Sequence, residues 1–526
     1  MWAAACVWAA PEPVSFDVLE YVIEGNTVLP PDLVERTVSP YMGPGKTLKD
    51  VELAREALEK AYQDAGYLSV VVALPNQQLR GDGEVRLEVI EARIDKLTVS
   101  GAAYHRPQLI KEQVPSLQPG SVPYFPQVQT QLAGVQTGHL QITPLLTGGD
   151  EPDKINMDLK VQDNLPLVGS IELNNRQSYN TSRGRLSAVA SYGNLFQLGH
   201  RLGVSWQYAP WRPADSNTLT LIYGLPLSPV DDLSFSATKS DSDTPVRVGD
   251  GGNTLTRGEF YGLRWQRTLP ARQWPVQHNI SAALDNKLSD DETVLVDTLG
   301  TKKPALRYTT VTLGYGLTWL PSEGESLTVS TTANMSNSAL AGRRVDCDGR
   351  ANTEQFECKR YGARPDYLAW RLSMDYTTPI WGGWRLNASV DAQAASGPLV
   401  SGEQYSLGGD DTVRGYYDYE QAGDGGWNTR LELVTPPWSF MDSWQMTGLV
   451  FGDRGSVSLQ EPLEGQVSHA NLGSAGLGLR IKGVKGFQLA MDAALPIFET
   501  QRAEQDGLQT TTKRQWRVHV RASQSF

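Results

Sequence analysis

Apolar residues in the first part of the chain recur with both a helical and a strand period, whereas from Asn164 onward only the strand period is sustained. Phe16, Val18, Tyr21 and Ile23 predict a strand that runs into the turn Gly25-Asn26-Thr27. Pro30-Pro31-Asp32-Leu33-Val34 opens a short helix. A second helix starts at Thr47, where Asp50 gives a weak capping-box signal and Val51, Ala54, Leu58 and Ala61 line one face. It ends at Gly66, and strands follow at Leu68 to Leu74 and Val85 to Ile90. The same order then returns: a strand from Ile94 to Val99, helices at Pro107 to Gln113 and Gln127 to Val135, strands at Leu140 to Leu146 and Ile155 to Val161. Modules of this kind have an open sheet edge beside a helix, where an extended polypeptide can add as a further strand; simple spacers are the alternative. Gly43-Pro44-Gly45-Lys46-Thr47 looks like the end of a phosphate-binding loop, but Pro40 stands where that loop needs its first glycine, so it reads as a turn and helix cap.

Beyond Asn164, candidate strands follow one another at roughly 20-residue spacing, as a strand of ~10 residues plus its connection requires. Val311, Leu313, Tyr315, Leu317 and Trp319 share one face; Leu368, Trp370, Leu372, Met374 and Tyr376 share another, opposite Arg371 and Asp375. Phe487, Leu489, Met491, Ala493 and Leu495 repeat the pattern, and the chain ends with Trp516, Val518, Val520, Ala522 and Phe526 alternating with Arg517, His519 and Arg521. Short Pro- and Gly-rich connections, such as Pro321 to Glu325 and Pro379 to Gly383, alternate with long polar ones, such as Ser240 to Leu255, Leu288 to Pro304 and Pro496 to Thr512. One short and one long set, with about sixteen strands, predicts a transmembrane barrel whose turns face one compartment and whose loops face the other. A soluble sandwich or propeller would not place large apolar side chains on the outer face of strand after strand.

Composition agrees with this pattern. The 526 residues include 50 Gly, 20 Tyr and 14 Trp but only 3 Cys and 6 His, which suits β-structure with many turns. Mean hydropathy is -0.35, and no run reaches the roughly 18 to 20 apolar residues of a membrane helix. The net charge of -12 argues against a nucleic-acid binder. Residues 1–13 read as a signal-peptide remnant or a vector-derived start, with Cys6 too near the beginning for a lipid anchor. Cys347 and Cys358 flank a polar loop and suit a disulfide in an oxidising compartment, against the alternative of two free thiols. There is no GxSxG, HExxH or metal-spaced Cys/His cluster, so neither catalysis, a cofactor nor a metal is expected.

The stretch that stands apart is Leu407 to Tyr419, with Val413, Arg414, Gly415 and Tyr416 at its centre. It is too long for a tight hairpin and needs an anchor. Trp444 to Phe451 alternates so that Trp444, Met446, Gly448 and Val450 share a face while Asp453, within Phe451-Gly452-Asp453-Arg454-Gly455, points the other way. In a membrane barrel the former face lipid and Asp453 faces the lumen. Arg414 is therefore expected to fold back inside and pair with Asp453. Charge reversal at one of them should cost function, and reversal at both should recover part of it.

These residues resemble the two-partner secretion transporters (TpsB), whose superfamily includes the BamA-like barrel-assembly proteins. The resemblance rests on the repeated modules with Gly25-Asn26-Thr27 and Tyr62-Gln63-Asp64-Ala65-Gly66-Tyr67, the Val413-Arg414-Gly415-Tyr416 and Phe451 to Gly455 motifs, and the terminal Phe526. It implies a mainly β protein with two small α+β POTRA domains, at 14–93 and 94–163, and a sixteen-stranded antiparallel barrel at 164–526 with an inward-folding loop at about 396–426. Trp516 and Phe526 would be its C-terminal barrel signal. The implied location is the Gram-negative outer membrane, with the POTRA domains in the periplasm. The implied function is export of one large TpsA-type protein, an adhesin, cytolysin or haem-binding protein, in unfolded form through a monomeric pore in outer-membrane lipid. Family members often carry an N-terminal plug helix, whereas here the first module begins by about Phe16. A BamA-like insertase is the alternative; two modules rather than more favour secretion.

Overall fold

The computed structural model describes residues 15–500 and 511–526, apart from 78–82, 137, 152, 180, 249–252, 271–274, 291–303, 348 and 465. The expectations for residues 1–13, including Cys6, lie outside the described residues, as do the central parts of the connections at 288–304 and 496–512. The chain forms two compact units, Met1–Pro166 and Leu167–Phe526.

In the first unit, Glu20–Glu24 lies parallel to Glu84–Glu91, which pairs antiparallel with Val70–Ala73. The helices Pro31–Val38 and Leu48–Asp64 pack Val34, Val38, Val51, Ala54 and Leu58 against Val70, Val72, Val85 and Leu87 of that sheet. Apolar residues at helical spacing thus meet every second residue of a strand, the condition for one shared core. The second module repeats the topology. Arg93–Ser100 runs parallel to Lys154–Asp163, which pairs antiparallel with Leu140–Gly148. The helices Pro107–Glu112 and Phe125–Val135 close a core around Ile94, Ile110, Leu132 and Leu159.

Two details depart from the sequence reading. The expected first strand splits: Phe16–Val18 pairs with Gly43–Lys46, while Glu20–Glu24 joins the main sheet. Gly43–Lys46 is therefore a short edge strand rather than a turn, because pairing satisfies backbone groups of Phe16–Val18, and the Gly45 amide also donates to Asp17 at 3.0 Å. The cap follows it: the Thr47 amide and hydroxyl both donate to Asp50, at 2.8 and 2.7 Å.

A carboxylate ends the central strand of each module and collects backbone amides from the turn after the first strand. Glu91 accepts from Thr27 and Val28 at 2.6 and 3.0 Å. Asp163 accepts from Ala103, Tyr104 and His105 at 2.8, 2.6 and 2.8 Å. The two modules abut where the Phe125 amide donates to the Gly66 carbonyl at 3.0 Å and the rings of Tyr67 and Tyr124 stand 5.3 Å apart. Gly66 has φ +98°, and a Cβ there would lie 2.8 Å from Pro126 and 2.9 Å from Tyr124.

In the second unit, 16 antiparallel strands close into a barrel among the described residues. Trp438–Met441 continues Gly425–Val434, since both pair with Trp444–Ser458. Leu221, Leu263, Leu313, Trp370, Leu431 and Leu477 are exposed on the outer face, while Thr220, Arg264, Thr312, Arg371, Glu432 and Arg480 take the alternate positions on the inner one. Water excluded from the lipid side leaves closure as the way to pair every strand edge. No helix among the described residues is long and apolar enough to cross a membrane. The seam joins Ser170–Asn174 to Arg521–Ser525, and Phe526 exchanges two hydrogen bonds with Gly169, both 3.0 Å. Asn175 extends it with its side chain, donating to Val518 at 2.7 Å and accepting from the Val520 amide at 2.8 Å.

The region read as a long connection at 240–255 is largely strand, Asp231–Val248 and Asn253–Leu269. Its Ser240 and Ser242 are buried and bond to Thr218 at 2.8 and 3.2 Å. Lys239 to Thr244 carries no apolar residue, so the strand period does not show there in the sequence.

Candidate functional site

The long loop lies between the strands Arg385–Ala395 and Gly425–Val434 and contains a small hairpin, Tyr405–Leu407 with Gln421–Gly423. Beyond that hairpin the chain turns into the lumen. Val413, Arg414 and Tyr416 are completely buried.

Arg414 meets Asp453 in a forked pair: Nε to Oδ2 at 2.8 Å and Nη2 to Oδ1 at 2.7 Å, with the Arg414 amide adding a third bond to Oδ2 at 3.1 Å. The third guanidinium nitrogen, Nη1, donates to Glu432 at 2.7 Å and lies 3.6 Å from Asp492. Asp492 is itself held by Arg480 through two bonds of 2.7 and 2.8 Å. The guanidinium also stands over Phe451, 3.5 Å from the ring centre. A buried cation is thus compensated by three carboxylates and one aromatic face, the arrangement in which a planar fork outperforms an ammonium.

The neighbouring loop residues are held as firmly. The Gly415 amide donates to His519 Nε2 at 2.9 Å, and the Tyr416 hydroxyl lies 2.9 Å from both the Gly473 and Phe498 carbonyl oxygens. Val413 and Leu407 pack with Val457 and Leu472. Gly455 is required here by close approach, because a Cβ would lie 2.8 Å from the Trp427 carbonyl oxygen. Asp453 sits in the middle of Trp444–Ser458 rather than at a strand end, opposite Arg430 on one neighbour and Ser474 on the other. Arg176, just past the first barrel strand, reaches Asp418 and Asp411 at 3.0 and 2.6 Å.

Cys347 and Cys358 form a disulfide. The loop it clasps folds against the base of the long loop: Ala341, Phe356 and Ala363 share a core with Leu399, Val400 and Tyr367. Arg360 pairs with the buried Asp424 through both terminal nitrogens, the Nη2 contact being 2.7 Å, and also donates to the Leu399 carbonyl at 2.6 Å. Trp516 and Phe526 are exposed at the two ends of the final strand region and take no part in the lumenal cluster. Glu432, Asp492, His519, Glu403 and Asp424 were not expected in the site from the sequence, although His519 was placed opposite the apolar face of the last strand. The first three share the inner-face parity with Asp453, a signal that could have found them, whereas Glu403 and Asp424 are acidic residues in a polar loop and carry no local mark.

The description of the haemolysin secretion/activation protein family ShlB/FhaC/HecB matches residues 153–481, and that of the ShlB-type POTRA domain matches residues 16–92. The outer membrane transporter CdiB of Dickeya dadantii (strain 3937) is 22% identical over 443 residues, 79% of this chain and 72% of that protein. The solved CdiB from Escherichia coli superposes with a TM-score of 0.60 at 19% identity, covering 99% of this chain and 93% of that one. The BamA structure from Haemophilus ducreyi lacking POTRA domains 1-3 gives 0.53 at 13% identity, covering 98% and 100%. Likenesses this distant show the fold. The family match, together with POTRA modules ahead of a closed barrel, places the protein in the outer membrane with its modules in the periplasm, as a two-partner secretion transporter. The chain belongs to the ShlB/FhaC/HecB family of haemolysin secretion/activation proteins.

Proposed function

We propose that this chain exports one large partner protein, a TpsA-type adhesin, cytolysin or haem-binding protein, from the periplasm to the cell surface. The observation that carries this reading is the long loop buried in the lumen and anchored there by Arg414 on Asp453. A fold that only displayed loops would have no need to bury a cation with three carboxylates inside itself.

The partner arrives unfolded and adds as a strand to a POTRA sheet edge, Leu140–Gly148, gaining main-chain hydrogen bonds without a matched side-chain sequence. It then threads the lumen of a monomeric pore set in outer-membrane lipid, and folding outside draws it through. The decisive experiment compares surface and supernatant proteins of cells with and without the gene. Loss of one large protein supports export. Broad loss of outer-membrane barrels instead supports the second reading, a BamA-like insertase, which the short closing seam and the BamA-like fold favour.

A further inference from the structure

The long loop has a second anchor, far from Arg414. Glu403, in the single turn Ser401–Glu403 near the loop's first stem, is completely buried. Its Oε1 lies 2.5 Å from Lys287 Nζ and accepts from the Tyr308 hydroxyl at 2.7 Å, and its Oε2 accepts from Asn334 Nδ2 at 2.6 Å. Its backbone carbonyl accepts from Arg371 and Gln393 at 3.1 and 3.0 Å. The three side chains that receive the carboxylate come from consecutive barrel strands, Val276–Ser289, Leu306–Trp319 and Ser326–Ser336. Asp453, Glu432 and Asp492 belong to other strands. Tip and stem are therefore bolted to different walls.

These walls differ in chemistry. The one holding the tip carries charge on its inner face, with Glu432, Asp453, Arg480 and Asp492. On the stem's wall, the inner positions toward the periplasmic side of Asn334 are Thr332, Ser330 and Thr328, paired in register with Gly314, Gly316 and Thr318. Thr328 and Ser330 are exposed, whereas Thr310, Thr312 and Asn334 are buried near the place where Glu403 docks. Small residues and hydroxyls offer hydrogen bonds to any peptide group, and the charges beside them, Arg371 next to Thr332 and Asp375 next to Thr328, are of both signs, which fits an extended polypeptide of arbitrary sequence. The stem closes this side at its extracellular end.

We propose that Glu403 is a positioning residue for export: its contact with Lys287, Tyr308 and Asn334 closes the hydroxyl-lined side of the lumen, and its release opens the path for the exported chain. The inference rests on the reading of the protein as an export pore. Arg414 keeps the tip docked while the stem moves.

The test uses the purified full chain in planar lipid bilayers, with potassium chloride as the conducted probe. Glu403→Gln and Lys287→Met should each raise the fraction of time spent in the open state several-fold, while heat-modifiable migration on gels shows the barrel folded. Glu403→Lys combined with Lys287→Glu should return the closed state, since Tyr308 and Asn334 can serve an ammonium as well as a carboxylate. In the Glu403→Gln background, a cationic thiol reagent should block current through Thr328→Cys or Ser330→Cys and leave Arg480→Cys less affected. A folded Glu403→Gln variant with wild-type open fraction, or block at Arg480→Cys alone, overturns the proposal. A chain that conducts in no variant and whose deletion leaves the cell-surface proteins unchanged overturns the pore reading beneath it.

Discussion

The guanidinium of Arg414 lies 3.5 Å from the centre of the Phe451 ring, so the aromatic residue that precedes Asp453 by two positions supports the same cation from the same inner face of the strand. A lysine keeps the charge but has neither the flat surface nor the fork. Arg414→Lys is expected to weaken loop docking by about 2 kcal/mol. Arg414→Ala, which leaves buried carboxylates uncompensated, should cost about 3–5 kcal/mol. Protease cleavage within the loop, together with the amount of partner exported, measures both.

The charge swap expected from the sequence to recover transport should fail. With Arg414→Glu, the new carboxylate lies beside Glu432 and Asp492, which remain in place when Asp453→Arg is added. The double variant is expected to export no better than Arg414→Glu alone. Recovery to near wild-type level would show that Glu432 and Asp492 do not act on this position.

Opening the Cys347–Cys358 bridge, by reduction or by Cys347→Ser with Cys358→Ser, should loosen the cap that shares a core with Leu399 and Val400. The loss is about 2–4 kcal/mol for a loop of this size. It should appear as faster protease nicking of the clasped loop on intact cells, with the barrel still folded.

Gly66→Val should break the joint between the two POTRA modules, because its side chain meets Pro126 and Tyr124 and its φ of +98° suits only glycine. The expected result is a flexible pair with faster proteolysis between the modules. An unchanged cleavage pattern would mean the joint is not held there.

Asp163 supplies a pH dependence outside the membrane. Burial raises its pKa, but the hydrogen bond from His105 and the amides of Tyr104, His105 and Ala103 outweigh burial and hold it below the usual carboxylate range. Its stabilisation is present above the unfolded value of about 3.9 and is lost as pH falls through the lower folded value. Asp163→Asn should therefore weaken hydrogen-exchange protection of the 103–105 amides at neutral pH, and the difference from wild type should shrink in strong acid. A difference that does not depend on pH would remove the carboxylate charge as its cause.

The modules and the barrel were legible because each rests on a local period. Val51, Ala54 and Leu58 on a helix, and Leu368, Trp370 and Leu372 on a strand, state which face is apolar without reference to the rest of the chain. The pairing of Arg414 with Asp453 was legible for a similar reason, since strand parity alone sends Asp453 inward and a long loop needs an anchor. The full length of the hairpin Asp231–Val248 with Asn253–Leu269 was not legible, because Lys239 to Thr244 carries no apolar residue to mark one face.

Which residues face lipid and which face the lumen follows from the residue pattern alone, because side-chain direction along a strand alternates with a period of two whatever the strand pairs with. Which inward residues stand at the same height is set by the closed barrel. Register and closure of the barrel bring Glu432 and Asp492 beside Asp453, and they bring Lys287, Tyr308 and Asn334 to Glu403 across sequence separations of 116, 95 and 69 residues. Those meetings depend on the sum of all strand offsets around the wall, a quantity that no local stretch of residues contains.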